Sequence, residues 1–130
     1  MKKDKLLAVL DMTEDEQRAW VCGNNLLQKH RTICNDDLIY DWEHRTESLA
    51  DLAFRLRDEA DNVNYERAIH LVEFYERGKK RGWWNKDSLA YWFKYEDALR
   101  TTIEEWLIHE TKPIHWIIAN LIAKDAKDGK

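Results

Sequence analysis

The amino-acid sequence predicts an all-α protein, a single bundle of about five or six helices built around a helix over residues 113–124. Three observations predict it. Apolar residues recur at spacings of three and four, the period of a helix, rather than at the spacing of two expected for strands. One proline and four glycines in 130 residues leave little punctuation for a turn-rich β fold. Helix-start chemistry is also present, most plainly in Thr13-Glu-Asp-Glu16. There the Thr13 side chain is placed to accept from the Glu16 N–H while the Glu16 carboxylate reaches back to the Thr13 N–H.

The helix over residues 113–124 supplies the centre. Pro113 suits a first helical position, where its missing N–H would go unbonded in any case. Ile114, Ile117, Ile118, Leu121 and Ile122 then fall on one stripe, which Trp116 and Ala119 widen. Only His115, Asn120 and Lys124 are clearly polar. A helix this apolar is too short to span a bilayer and is expected at the middle of a core.

The remaining elements follow in chain order. Lys3–Leu10 is a short helix with Leu6, Leu7 and Leu10 at helical spacing. After the Thr13 cap, a second helix is expected to bury Ala19, Trp20, Cys22, Leu26 and Leu27, with Gly23-Asn24-Asn25 as its weak point. Over residues 30–45 a short helix capped by Asn35 or Asp36 would carry Leu38, Ile39 and Trp42. Thr46 is a plausible cap for a helix burying Leu49, Leu52, Ala53, Leu56 and Ala60, with Arg55 and Arg57 on a solvated outer face. Asn64 would cap the next helix, about Tyr65 to Arg77, which places Ala68, Ile69, Val72 and Tyr75 on one face. Gly78 would end it as a left-handed residue. Residues 77–86 then read as a loop. Asp87 or Ser88 starts a helix through Leu89, Trp92 and Phe93 that the spacing of Leu99, Ile103, Trp106 and Leu107 extends. No repeat or linker divides the chain, so residues 1–130 read as one helical domain.

Composition narrows the class. At 44% hydrophobic and 35% charged, the chain is globular rather than disordered. No signal-peptide run or transmembrane stretch is apparent, which predicts no membrane partner and a cytoplasmic setting. Cys22 and Cys34 are too sparse for a disulfide framework and read as buried, inert thiols. The net charge of −4 is unevenly placed: residues 1–65 carry nine Lys and Arg against fourteen Asp and Glu, and residues 66–130 twelve against eleven. Asp36 to Asp61 holds nine acids against three arginines, and Arg77 to Lys86 five basic residues and no acid.

That basic stretch is the candidate partner-binding or nucleic-acid-binding site: Arg77, Lys79, Lys80, Arg81, Trp83, Trp84 and Lys86. Lysine and arginine neutralise phosphates, and an exposed indole face stacks on a base. In the plainer reading, the two tryptophans anchor a loop to the core and the cations answer a helix C-terminus. No catalytic residue and no metal site are assigned. His30-x-x-x-Cys34 has helical spacing but lacks the further ligands zinc needs. There is no nucleophile elbow, phosphate loop or His-Glu-x-x-His pattern. Glu104-Glu105 and Asp58-Glu59 are neighbours that point to different sides of a helix. His115, in an apolar helix, reads as a hydrogen-bonded core residue. No cofactor is expected.

Two blocks carry a resemblance. Leu49-Ala-Asp-Leu-Ala-Phe-Arg-Leu-Arg-Asp-Glu59 and Pro113-Ile-His-Trp-Ile-Ile-Ala-Asn-Leu-Ile-Ala-Lys124 cover roughly a fifth of the chain. Together they resemble small helical proteins encoded by tailed phages and prophages. The resemblance implies an all-helical fold and a phage origin, and brings no catalytic residue with it. With the absence of chemistry and the seven tryptophans, it leads to an expected function as a non-enzymatic protein-binding module. Its natural form would be an accessory or counter-defence factor that blocks a host enzyme by contact in the bacterial cytoplasm. The alternative is a nucleic-acid-binding helical domain using residues 77–86. Self-association through an aromatic face is a further possibility.

Overall fold

The computed structural model describes residues 3–24, 26, 29–31, 44–46 and 48–128. Within them the chain runs α1 (Lys3–Ala8), a 3-10 turn (Val9–Asp11), α2 (Glu14–Gly23), β1 (Lys29–Arg31), β2 (His44–Thr46), α3 (Leu49–Glu59), α4 (Asn62–Arg81), α5 (Ser88–Leu99), α6 (Glu104–His109) and α7 (Pro113–Asp128). The class is all-α, with seven α-helices among the described residues. The two three-residue strands pair antiparallel, with His30 opposite Arg45.

Helix α7 is the post on which the bundle stands. Ile114, Ile117, Ile118, Ala119, Ile122 and Ala123 are all buried on it, and its broadest helix contacts are with α4 and α3, followed by α1. Helix α3 brings Leu52, Ala53 and Leu56 to this seam. Helix α4 brings Ala68, Ile69, Leu71, Val72, Phe74 and Tyr75, and Leu6, Leu7 and Val9 close one end. Each isoleucine removed from water in this way stabilises the fold by roughly 1.5–3 kcal/mol before conformational entropy is set against it. One polar side chain interrupts the apolar seam. Asn120 is buried, donates from Nδ2 to the Ala53 carbonyl at 3.4 Å, and leaves Oδ1 unpaired.

The helix ends show how local chemistry sets the boundaries. The Thr13 capping box forms as the sequence predicts, with Glu16 N to Thr13 Oγ1 at 3.2 Å and Thr13 N to Glu16 Oε1 at 3.0 Å. For α3 the cap is Ser48, whose hydroxyl accepts from the Asp51 N–H at 3.1 Å. Thr46, the expected cap, lies instead in β2. For α4 the cap is Asp61, accepting from Asn64 N at 2.9 Å, so Asn64, the expected cap, instead gives its N–H to the cap three residues before it. A side-chain oxygen serves a helix start when it sits three residues before the N–H it accepts from, and Ser48 and Asp61 hold those places.

Other expectations are corrected by packing. Helix α4 does not stop at Arg77 but runs to Arg81, and Gly82, at φ 75°, is its left-handed terminus. Gly78 is a buried interior residue of that helix. A Cβ there would lie 2.9 Å from Cζ3 of Trp83 and 3.1 Å from Cε3 of Trp84. Glycine at 78 therefore provides a seat for two indoles rather than a turn. The expected long helix after Ser88 breaks at Arg100–Ile103 into α5 and α6, and α5 already bends at Tyr95 (φ −123°, ψ 23°). Helix α2 buries Gln17 and Val21, while Ala19 and Cys22 are exposed. The buried-thiol expectation is thus wrong for Cys22. Arg55 and Arg57 are not simply solvated. Arg55 donates to the Leu26 carbonyl at 2.6 Å, and the Arg57 guanidinium lies 3.9 Å above the Tyr65 ring. Cys34 and the helix expected over Leu38, Ile39 and Trp42 lie outside the described residues.

The seat at Gly78 gives a direct test. Replacing Gly78 with valine forces the Trp83 and Trp84 rings off α4, an overpacking cost of about 1–3 kcal/mol, and α4 loses the close approach of its own C-terminal connector. Urea melts followed by tryptophan emission should show lower stability and a red-shifted native spectrum. An equally stable variant with unchanged emission would contradict the seat.

Candidate partner-binding site

The seven residues singled out in the sequence do not form one loop. Arg77, Lys79, Lys80 and Arg81 occupy the last turns of α4, and Trp83, Trp84 and Lys86 follow Gly82 on the connector to α5. The helix then sends these side chains in different directions, since neighbours along α4 do not face one way.

Trp84 turns inward, 4.7 Å from the Tyr75 ring and 5.8 Å from Phe74. Trp83 lies 4.8 Å from Phe74 and keeps 38% of its surface exposed. Together with Trp92, 5.0 Å from Phe74, they build an aromatic cluster beside Gly78. The anchoring role weighed for the two tryptophans is thus the one their contacts support. Lys79 reaches Asp11 at 3.5 Å and lies 5.3 Å from the Tyr75 ring, while the Tyr75 hydroxyl also donates to Asp11. Burial and that carboxylate both push the Tyr75 phenol up, burial most. Lys86 stands exposed at the far end.

Arg77, Lys80 and Arg81 turn to the other side of α4 and line an open cleft of about 1650 Å³. Its walls are the first turns of α2, the N-terminus of α3, the C-terminal half of α4, helix α6 and the start of α7. The floor is mixed: Ile103 and Ile114 are buried and Trp106 half-buried, beside the buried polar side chains of Glu73 and His115. The rim alternates in sign: Glu14, Asp15, Glu105 and Glu110 stand among Arg18, Lys80, Arg81 and Lys112. Lys80 and Glu110 face each other at 3.7 Å, both well exposed, so that pair contributes little to stability.

Two deeper pairs sit at the base. Glu73 is 8% exposed and meets Arg77 one turn on, with Oε1 3.1 Å from Nε and Oε2 3.1 Å from Nη2. Burial pushes the Glu73 carboxyl up from its ordinary 4.5, and Arg77 and then Arg81 pull it back only in part. The sign of its linkage to folding follows. A carboxyl whose folded pKa lies above the unfolded value contributes stability that is full below the unfolded pKa and is lost as pH rises through the folded one. Glu73→Gln removes that titration. Denaturation midpoints measured between about pH 4 and pH 7 should show the wild type losing stability relative to the variant as pH rises. A difference that is flat, or of opposite slope, would refute the buried carboxyl.

The second pair is Glu76 and His115. His115 Nδ1 accepts from the Lys112 N–H at 2.8 Å, so it caps the start of α7 from the third helical position. A ring that accepts at Nδ1 carries its proton at Nε2, and Nε2 stands 3.5 Å from Glu76 Oε1. Trp106 closes the imidazole edge-on at 5.3 Å. His115 is therefore buried and bonded at the helix start, in keeping with the core role read from the sequence. Among the described residues no group of three or more His, Cys, Asp or Glu is placed to hold a metal ion, and no helix is long and apolar enough to cross a membrane.

Sequence reasoning found Arg77, Lys80 and Arg81 but missed the surface they serve. The Glu73–Arg77 pair carried a signal, a carboxylate and a guanidinium four residues apart. The opposing wall from α2, α6 and the α7 start carried none, because its assembly is tertiary.

No family model matches the chain, and neither a curated protein nor a solved structure matches it.

Proposed function

We propose that the protein is a small non-enzymatic binding module for another protein. In the setting implied by its resemblance to phage and prophage proteins, it is an accessory or counter-defence factor in the bacterial cytoplasm that inhibits a host enzyme by direct contact. The observation that carries this reading is the cleft between α4 and α6. A base of apolar residues and internally paired polar groups, bordered by charges of both signs, suits a protein segment, which presents apolar side chains together with both charges and a polar backbone. Uniform phosphate would find as much repulsion on this rim as attraction.

The nucleic-acid reading of residues 77–86 has less behind it. Arg77, Lys79 and Lys80 already face carboxylates of the chain itself. Trp84 is packed inward, and Trp83 leans on Phe74.

The experiment is capture from bacterial lysate with and without nuclease, using wild type and a rim variant carrying Arg81→Glu and Glu105→Lys. Both positions are exposed, so the variant should fold. A stoichiometric host protein retained after nuclease by the wild type and lost by the variant is the expected result. Retention of nuclease-sensitive material alone would replace this reading with the nucleic-acid one.

A further inference from the structure

Helix α5 buries only Ser88 and Trp92, although its sequence, Ser-Leu-Ala-Tyr-Trp-Phe-Lys-Tyr, is apolar nearly all round. Tyr91 and Tyr95, four residues apart and so on one face, are 53% and 43% exposed. Their rings lie 4.8 Å apart. Asp87 stands one turn before this pair and Lys94 within it, so the face reads acid, tyrosine, base, tyrosine. Lys86 adjoins the acidic end. Arg67, Arg77, Lys79 and Lys80 each have a carboxylate partner in the chain. In contrast, the structure gives Lys86 and Asp87 no ion pair among the described residues, and Lys94 touches only the Tyr95 ring, at 5.4 Å.

We propose that this face of α5 docks on the same face of a second copy of the chain, the two helices antiparallel about a two-fold axis. The face is complementary to itself in charge. An isologous contact requires a surface complementary to itself, in which residue i meets j and j meets i. An acid and a base separated by two helical turns on one face, with aromatics between, meet that condition. Asp87 of each copy then faces Lys94 of the other, Lys86 lies over the other Tyr95 as a cation over an aromatic ring, and the two Tyr91 rings come together near the axis. A parallel pairing would set Asp87 against Asp87 and Lys94 against Lys94. None of Asp87, Tyr91, Lys94 or Tyr95 lines the α4–α6 cleft, so the two surfaces share none of these residues. The inference stands apart from the proposed protein-binding function.

The test is sedimentation equilibrium of the full chain from micromolar to millimolar concentration. It should be run on the wild type, Asp87→Lys, Lys94→Glu and the double variant that carries both. Asp87 makes no side-chain cap to α5, so all four proteins should fold, which circular dichroism checks. The wild type should show a monomer–dimer equilibrium that weakens with salt. Each single reversal places like charges opposite one another twice per dimer and should weaken association on the order of tenfold or more. The double variant, with the polarity of the face reversed, should recover it. A wild type that stays monomeric throughout would overturn the proposal and leave the strip to a different partner. So would a dimer indifferent to both reversals, or a double variant no better than the singles.

Discussion

Ile117→Ala should lower the unfolding free energy by about 2–5 kcal/mol, the range for truncating a buried isoleucine with a cavity left behind. Ile117 is fully buried, as is its neighbour Ile118, and both belong to the cluster that joins α7 to α3 and α4. A protein of this size is held by only about 5–15 kcal/mol in all. One methyl-rich side chain at this seam is thus a large share of the whole. Ile118→Ala is expected in the same range, and the pair together need not add, since neighbours in one cavity couple. Phe54→Ala is the control. Phe54 is 75% exposed on α3, and its loss should move stability by no more than about 0.5 kcal/mol. Urea denaturation of the three variants compares them directly. If Phe54→Ala cost as much as Ile117→Ala, α7 would not be the central element.

Trp92→Ala should cost about 3–5 kcal/mol, and its effect should be local as well as large. Trp92 is the one large side chain that α5 buries fully, with Leu89 and Leu99 partly buried against the core, and its ring packs on Phe74 at 5.0 Å. Removing it takes the floor from the aromatic cluster of Trp83, Trp84 and Phe74 and leaves α5 with Ser88 as its remaining buried residue. Native-state hydrogen exchange should then show amides over residues 88–99 opening far more readily, while α7 keeps most of its protection. Equal acceleration in both helices would mean that α5 is held by something other than Trp92.

The contrast between these two helices explains what could be read from the sequence. Helix α7 was legible because its pattern is local: Pro113 starts it and isoleucines at threes and fours face inward without exception. The Thr13 capping box was legible for the same reason. Gly78 has the local signature of a helix end, a glycine near a run of cations. What holds it in mid-helix is the close approach of two indoles, a tertiary fact. Over residues 88–107 the apolar spacing is that of one long helix, and spacing alone does not register the break at Arg100–Ile103. Trp83 and Trp84 stand side by side in sequence, yet only Trp84 turns fully to Tyr75, and no periodicity separates them in a connector.

The candidate site divides along the same line. Arg77, Lys80 and Arg81 were visible as charge. Their shared cleft was not, because its far wall comes from residues 12–18 and 102–115, brought together by α7. The binding role assigned to that cleft is the central claim, and the most direct measurement of it is the lysate capture with the charge-reversed rim. The expected result is one host protein, retained at stoichiometric level by the wild type after nuclease and absent from the Arg81→Glu, Glu105→Lys double variant. A protein bound equally by both, or nuclease-sensitive material alone, would contradict it.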